Sequence, residues 1–111
     1  MWTPVAKLGE FQNGRLVVKR PEHRKPILLL YTGEEVFALE DVCTHDDGPL
    51  HEGEVEDGAI VCPRHGARFD LRTGRQTLPA PRPVKVFPAR LEGRRLALPE
   101  LPVTYFIQSL R

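Results

Sequence analysis

Residues Cys43–His65 read CTHDDGPLHEGEVEDGAIVCPRH, and this stretch contains both cysteines of the chain and three of its four histidines. One residue separates Cys43 from His45, two separate Cys62 from His65, and sixteen lie between His45 and Cys62. Thiolates and imidazoles are ligands for borderline and soft metals, so four of them at this spacing can close a metal site. Two chemistries compete. Structural zinc takes Cys2His2 sets in tetrahedral geometry. A [2Fe–2S] cluster can carry two cysteines on one iron and two histidines on the other.

The order of ligands bears on the choice. Zinc sites usually group cysteine with cysteine and histidine with histidine. Here each short loop supplies one of each, which suits two irons, both cysteines going to one and both histidines to the other. Gly48-Pro49, Pro63 and Gly66 favour tight turns with amides free to point at sulfur. The segments CTHDDGPL (Cys43–Leu50) and CPRHGARFD (Cys62–Asp70) resemble the two cluster-binding loops of Rieske-type ferredoxins, and the similarity runs from about Trp2 to Leu98.

That resemblance implies an all-β fold, a Rieske-type antiparallel sandwich or barrel base with a small inserted cluster-binding subdomain. It implies one [2Fe–2S] cluster per chain, with Cys43 and Cys62 on the inner iron and His45 and His65 on the outer iron that takes the electron. It also implies a soluble one-electron carrier rather than an enzyme. The donor would be an NAD(P)H-dependent, flavin-dependent ferredoxin reductase, and the acceptor a terminal oxygenase, typically a ring-hydroxylating dioxygenase, or another redox partner. The small subunit of an assimilatory nitrite reductase shares the fold and stays open, as does a zinc-stabilised binding module without redox chemistry. High-potential Rieske proteins of the respiratory complexes resemble the chain at the ligands but add a cysteine pair, a serine and a tyrosine. The matching positions here are Gly48, Arg64, Ala67 and Phe69.

At 111 residues the chain is expected to form one domain, residues 1–111, with the insert at about 41–83 and a C-terminal extension at 99–111. No run of eighteen apolar residues is present, so no membrane span is expected. Met1-Trp2-Thr3-Pro4 does not open a signal peptide, and with both cysteines assigned as ligands no disulfide remains. A cytoplasmic location is the corresponding expectation. Net charge is +1 but unevenly spread. Residues 34–57 hold ten acidic groups and no Lys or Arg, whereas 58–98 hold nine basic groups against Asp70 and Glu92. This asymmetry either belongs to solvated strand faces or steers a docking partner. A nucleic-acid partner is not indicated, because no basic stripe is interleaved with aromatics.

Short alternating or apolar runs punctuated by Gly and Pro predict strands at Trp2–Ala6, Arg15–Arg20, Pro26–Tyr31, Val36–Leu39, Ala59–Val61, Arg68–Asp70, Val84–Arg90 and Arg95–Leu98. Asn13-Gly14 and Asp57-Gly58 tolerate the positive φ of two-residue hairpins, and Asp57-Gly58 joins two short strands, Cys62 ending the second. Lys7–Phe11 suits a single helical turn. Leu78–Pro83, with three prolines, is a third loop, and the resemblance makes it a cover over the cluster. His23 and His51 fit no ligand position and are expected at the surface. In the extension, Val103, Tyr105, Phe106, Ile107 and Leu110 are too apolar for a free tail, and Thr104 suits a helix cap.

Overall fold

The computed structural model describes residues 1–99, so the apolar extension and its Thr104 cap lie outside the described residues. The architecture is organised by the strand β3 (His23–Tyr31), whose run Ile27-Leu28-Leu29-Leu30 is at most 2% exposed. Alternation along a strand sends successive side chains to opposite faces. Leu28 and Leu30 therefore enter one core with Leu39, Leu50, Ile60, Phe69, Leu71 and both cysteines. Ile27 and Leu29 enter a second core with Ala6, Ala38, Leu96 and Leu98. A strand covered on both faces reads as a continuous apolar run, which is why the alternation is hidden in the sequence here.

β3 lies in a four-stranded antiparallel sheet with β2 (Arg15–Arg20), β4 (Val36–Glu40) and β8 (Val86–Phe87), in the order β2-β3-β4-β8. Behind it, β1 (Trp2–Lys7), β10 (Arg95–Pro99) and β9 (Arg90–Glu92) form a second antiparallel sheet in the order β1-β10-β9. Between β4 and β8 the chain leaves the base and builds a third sheet, β5 (Glu54–Glu56), β6 (Ala59–Val61) and β7 (Arg68–Asp70). The all-β expectation holds.

The turns follow the expected chemistry. Asn13 and Gly14 have φ of 54° and 75°, and Asp57 and Gly58 have 50° and 76°, the doubly positive pattern of type I′ hairpins. The single turn near the start is a 3-10 turn, Leu8–Glu10, with the Glu10 carboxylate accepting from the Lys7 amide at 2.7 Å. Strands β1, β4 and β10 each run one residue further than the sequence reading, β5 is not among the predicted strand ranges, and two differences are larger. The predicted strand Val84–Arg90 is split, because Pro88 cannot donate to a ladder, and its halves join different sheets. The strand β3 begins at His23 instead of Pro26, with a register shift opposite it in β2.

Candidate metal centre

The two candidate loops are built alike. In the first, the Cys43 amide donates to the Gly48 carbonyl at 2.7 Å and the Asp47 amide to the Cys43 carbonyl at 2.8 Å. In the second, the Cys62 amide donates to the Ala67 carbonyl at 2.8 Å and the Gly66 amide to the Cys62 carbonyl at 3.0 Å. The fourth residue after each cysteine is left-handed, Asp47 at φ 61° and Gly66 at 79°. Glycine meets that demand without cost and aspartate tolerates it. A turn of this shape folds each cysteine side chain inward and carries the following histidine to the rim.

Burial follows accordingly. Cys43 and Cys62 are at most 1% exposed, while His45 and His65 are exposed. The donors sort by kind. Sγ of Cys43 and of Cys62 lie within 4.8 Å of one another, and the ring nitrogens of His45 and His65 do likewise. The two imidazoles meet edge to face, with centroids 4.5 Å apart. Both thiols are free, and burial pushes the Cys43 thiol up from its ordinary value. A thiol so placed is a poor anion until a metal compensates the charge, so deprotonation and metal binding are coupled. Two buried sulfur donors beneath two solvent-facing nitrogen donors fit a two-iron centre with cysteine on one iron and histidine on the other.

Asp46 lies within reach of both donor sets. Its carboxylate accepts from the Arg64 guanidinium and from the Gly48 amide, and the arginine chiefly lowers its pKa from an ordinary 3.8 to about 2. Residues outside the motif fix the first loop, and sequence reasoning missed them. The buried Asp41 carboxylate accepts from the Leu50 and His51 amides, each at 2.8 Å, and from Nδ1 of His51 at 2.6 Å. Arg15, on β2, donates from Nη1 to the carbonyls of His51 at 2.5 Å and Gly53 at 2.6 Å. Asp41 carried a weak signal, an acidic residue at the end of a strand. Arg15 carried none, standing 36 and 38 residues from its partners.

His51 is thus tied to Asp41, and His23 pairs with Glu40 at 2.8 Å against the Phe87 ring; neither joins the donor sets. The proline loop abuts the first ligand loop, since the Thr44 hydroxyl donates to the Arg82 carbonyl at 2.6 Å and Ala80 is buried in the core that holds the thiols. The charge asymmetry of the sequence is partly cancelled in space. Asp46–Arg64, Glu56–Arg68 and Glu35–Arg72 each join the acidic half to the basic half. No helix among the described residues is long and apolar enough to cross a membrane.

Comparison with known proteins agrees with this geometry. Residues 1–88 match the family described as the Rieske [2Fe-2S] domain. The chain is 38% identical over 91 residues to the anthranilate 1,2-dioxygenase ferredoxin subunit of Burkholderia cepacia, covering 81% of this chain and 83% of that one. It is 38% identical over 92 residues to the biphenyl 2,3-dioxygenase ferredoxin component of Rhodococcus jostii, covering 82% and 85%. A chain in the solved complex of reduced oxygenase and oxidised ferredoxin in carbazole 1,9a-dioxygenase superposes with a TM-score of 0.74 at 29% identity, covering 87% and 91%. Neither a zinc module nor a lone pair of buried thiols accounts for a match of this extent, and the chain belongs to the Rieske [2Fe-2S] domain family.

Proposed function

We infer that the chain is a one-electron carrier that holds one [2Fe–2S] cluster on Cys43, Cys62, His45 and His65. It would take electrons from a flavin-dependent ferredoxin reductase and pass them to the terminal oxygenase of a ring-hydroxylating system. The observation that carries this reading is the sorting of donors, thiols inside and imidazoles at the rim. Relatives named as dioxygenase ferredoxin components support the partner class. The whole of 1–111 is read as one domain, with the insert at about 41–83 carrying both loops, working in a compartment that keeps thiols reduced, such as the cytoplasm.

When bound, such a cluster supplies a single reversible electron, going from a neutral core with its ligands to a net charge of −1. The protein's part is to hold and screen. Cys43 and Cys62, sunk among Leu50, Ile60, Ala67 and Phe69, keep water from the sulfur side and disfavour added charge there. His45 and His65 reach the surface, where a partner can dock edge-on to the imidazoles. Asp41, Arg15 and the Thr44–Arg82 contact hold the first loop against the base sheet and the proline loop, so little reorganises when the charge changes. Nothing here asks for a nucleophile or a general base.

The test is compositional. Protein purified without oxygen should contain two irons and two acid-labile sulfides per chain. His45→Ala or His65→Ala should lose or convert the cluster, and Cys43→Ser or Cys62→Ser should abolish it. Stoichiometric zinc with no iron would sink the reading.

A further inference from the structure

We propose that Asp46 and Arg64 form a clasp that locks the two ligand-bearing loops at a fixed spacing, with Gly48 as the seat over which the clasp closes. The proposal rests on the reading above, that these loops carry the cluster. Asp46 follows His45 directly and Arg64 precedes His65 directly, so the pair joins the loops beside the ligands themselves. Contact is two-pronged. Nε of Arg64 donates to Oδ2 of Asp46, and Nη2 donates to Oδ1 at 3.2 Å. Oδ1 also accepts from the Gly48 amide at 2.9 Å, so the carboxylate is anchored in its own loop as it reaches across.

Gly48 supplies the second observation. Its φ lies outside the left-handed region, so backbone conformation does not require glycine there. A Cβ at this position would instead sit 2.6 Å from Cζ of Arg64 and 2.7 Å from both Nε and Nη2. The guanidinium occupies the space a side chain would take. No covalent link joins the two loops, both cysteines being free. Exposed ion pairs usually contribute little to global stability, but a bidentate arginine–carboxylate contact fixes geometry as well as energy. A clasp of this kind shows in how well the loops hold their cargo, more than in how well the chain folds.

The experiment follows the loss of visible absorption of the cluster-loaded protein in excess ferrous chelator, for wild type, Asp46→Asn, Arg64→Gln, the double variant and Gly48→Ala. Each single variant should lose its cluster about two- to fivefold faster, the size of a measured exposed ion-pair coupling. The double variant should be no faster than the faster single, and Gly48→Ala should behave like Arg64→Gln, because the new methyl displaces the guanidinium. Raising ionic strength should speed loss from wild type and leave the double variant unchanged. Charge alone cannot give this pattern: removing Arg64 lowers the midpoint potential and removing Asp46 raises it, whereas both should speed loss. Should Arg64→Gln emerge without its cluster, Arg64→Lys, which keeps the charge and loses one prong, must fall between wild type and the chargeless variant. Rates that multiply in the double variant, or a wild-type rate indifferent to salt, overturn the clasp. A wild type without iron overturns the underlying reading and the clasp with it, whereas a loaded wild type with unchanged variants overturns the clasp alone.

Discussion

Replacing Asp41 by alanine removes three hydrogen bonds from the base of the first ligand loop in one step. The Asp41 side chain is 3% exposed, and the bonds from the Leu50 and His51 amides end on a charged acceptor. Such bonds contribute about 1.5–3 kcal/mol each. The His51 ring is 40% exposed and can turn to water, so its bond is counted as nothing. Water also reaches the His51 amide more easily than the buried Leu50 amide, which places the sum at the lower end, about 3 kcal/mol. For a domain of this size that corresponds to a fall in melting temperature of roughly 12 °C. Asp41→Asn keeps an oxygen for the two amides and should cost only about 1 kcal/mol. Urea unfolding of the loaded protein, followed by circular dichroism, measures both. An Asp41→Ala variant within about 0.5 kcal/mol of wild type, the range of neutral surface changes, would refute the reasoning. So would an Asp41→Asn variant as unstable as Asp41→Ala.

The reduction potential should lie near the low end of the Rieske range, about −150 mV, because Ala67 and Phe69 lack the hydroxyls of the high-potential proteins the ligand loops resemble. Ala67→Ser and Phe69→Tyr should each raise it by about 40 mV if the new hydrogen bond favours the reduced form by ~1 kcal/mol; voltammetry showing no rise in either would count against that view. Both side chains are fully buried, so a hydroxyl that finds no partner would instead cost about 1–3 kcal/mol of stability with no change in potential. Gly53→Ala places a Cβ 2.0 Å from the Val61 carbonyl oxygen, a backbone atom that cannot swing away, and should destabilise by about 2–3 kcal/mol in the same urea assay. Asp46, lowered from 3.8 to about 2, contributes stability that is fully present above pH 3.8 and is lost only as pH falls through 2, so the deficit of Asp46→Asn in the same urea assay should be equal at about pH 5 and pH 7; a deficit that changes between them would count against the pairing.

That the four candidate donors come together on two turns was legible in the sequence, because they lie in close pairs along the chain and their turns need glycine, proline or aspartate at set places. The hairpins at Asn13-Gly14 and Asp57-Gly58 were legible for the same reason, positive φ at both residues. The short strand β5 left little trace of its own, since Glu-Val-Glu has poor strand propensity and its glutamates are outward on a sheet edge, where charge is favourable. Pro88, read as lying within one strand, instead marks the passage between two sheets, a decision made by tertiary pairing. What holds the first loop was not legible. Arg15 reaches carbonyls 36 and 38 residues away, and no local pattern announces a contact that only the packing of β2 beside the insert creates. The opposed charge runs were visible, but not that three ion pairs would join them across the insert.

Pulsed EPR of the reduced wild-type protein, grown with isotopically labelled histidine, tests the central claim most directly. The account requires a paramagnetic signal that appears on one-electron reduction and carries hyperfine coupling to nitrogen from both His45 and His65. The coupling should be altered by the label and be absent from a four-cysteine cluster. A reduced protein with no signal, or a signal without histidine nitrogen coupling, would contradict the assignment of the imidazoles at the rim to the iron that receives the electron.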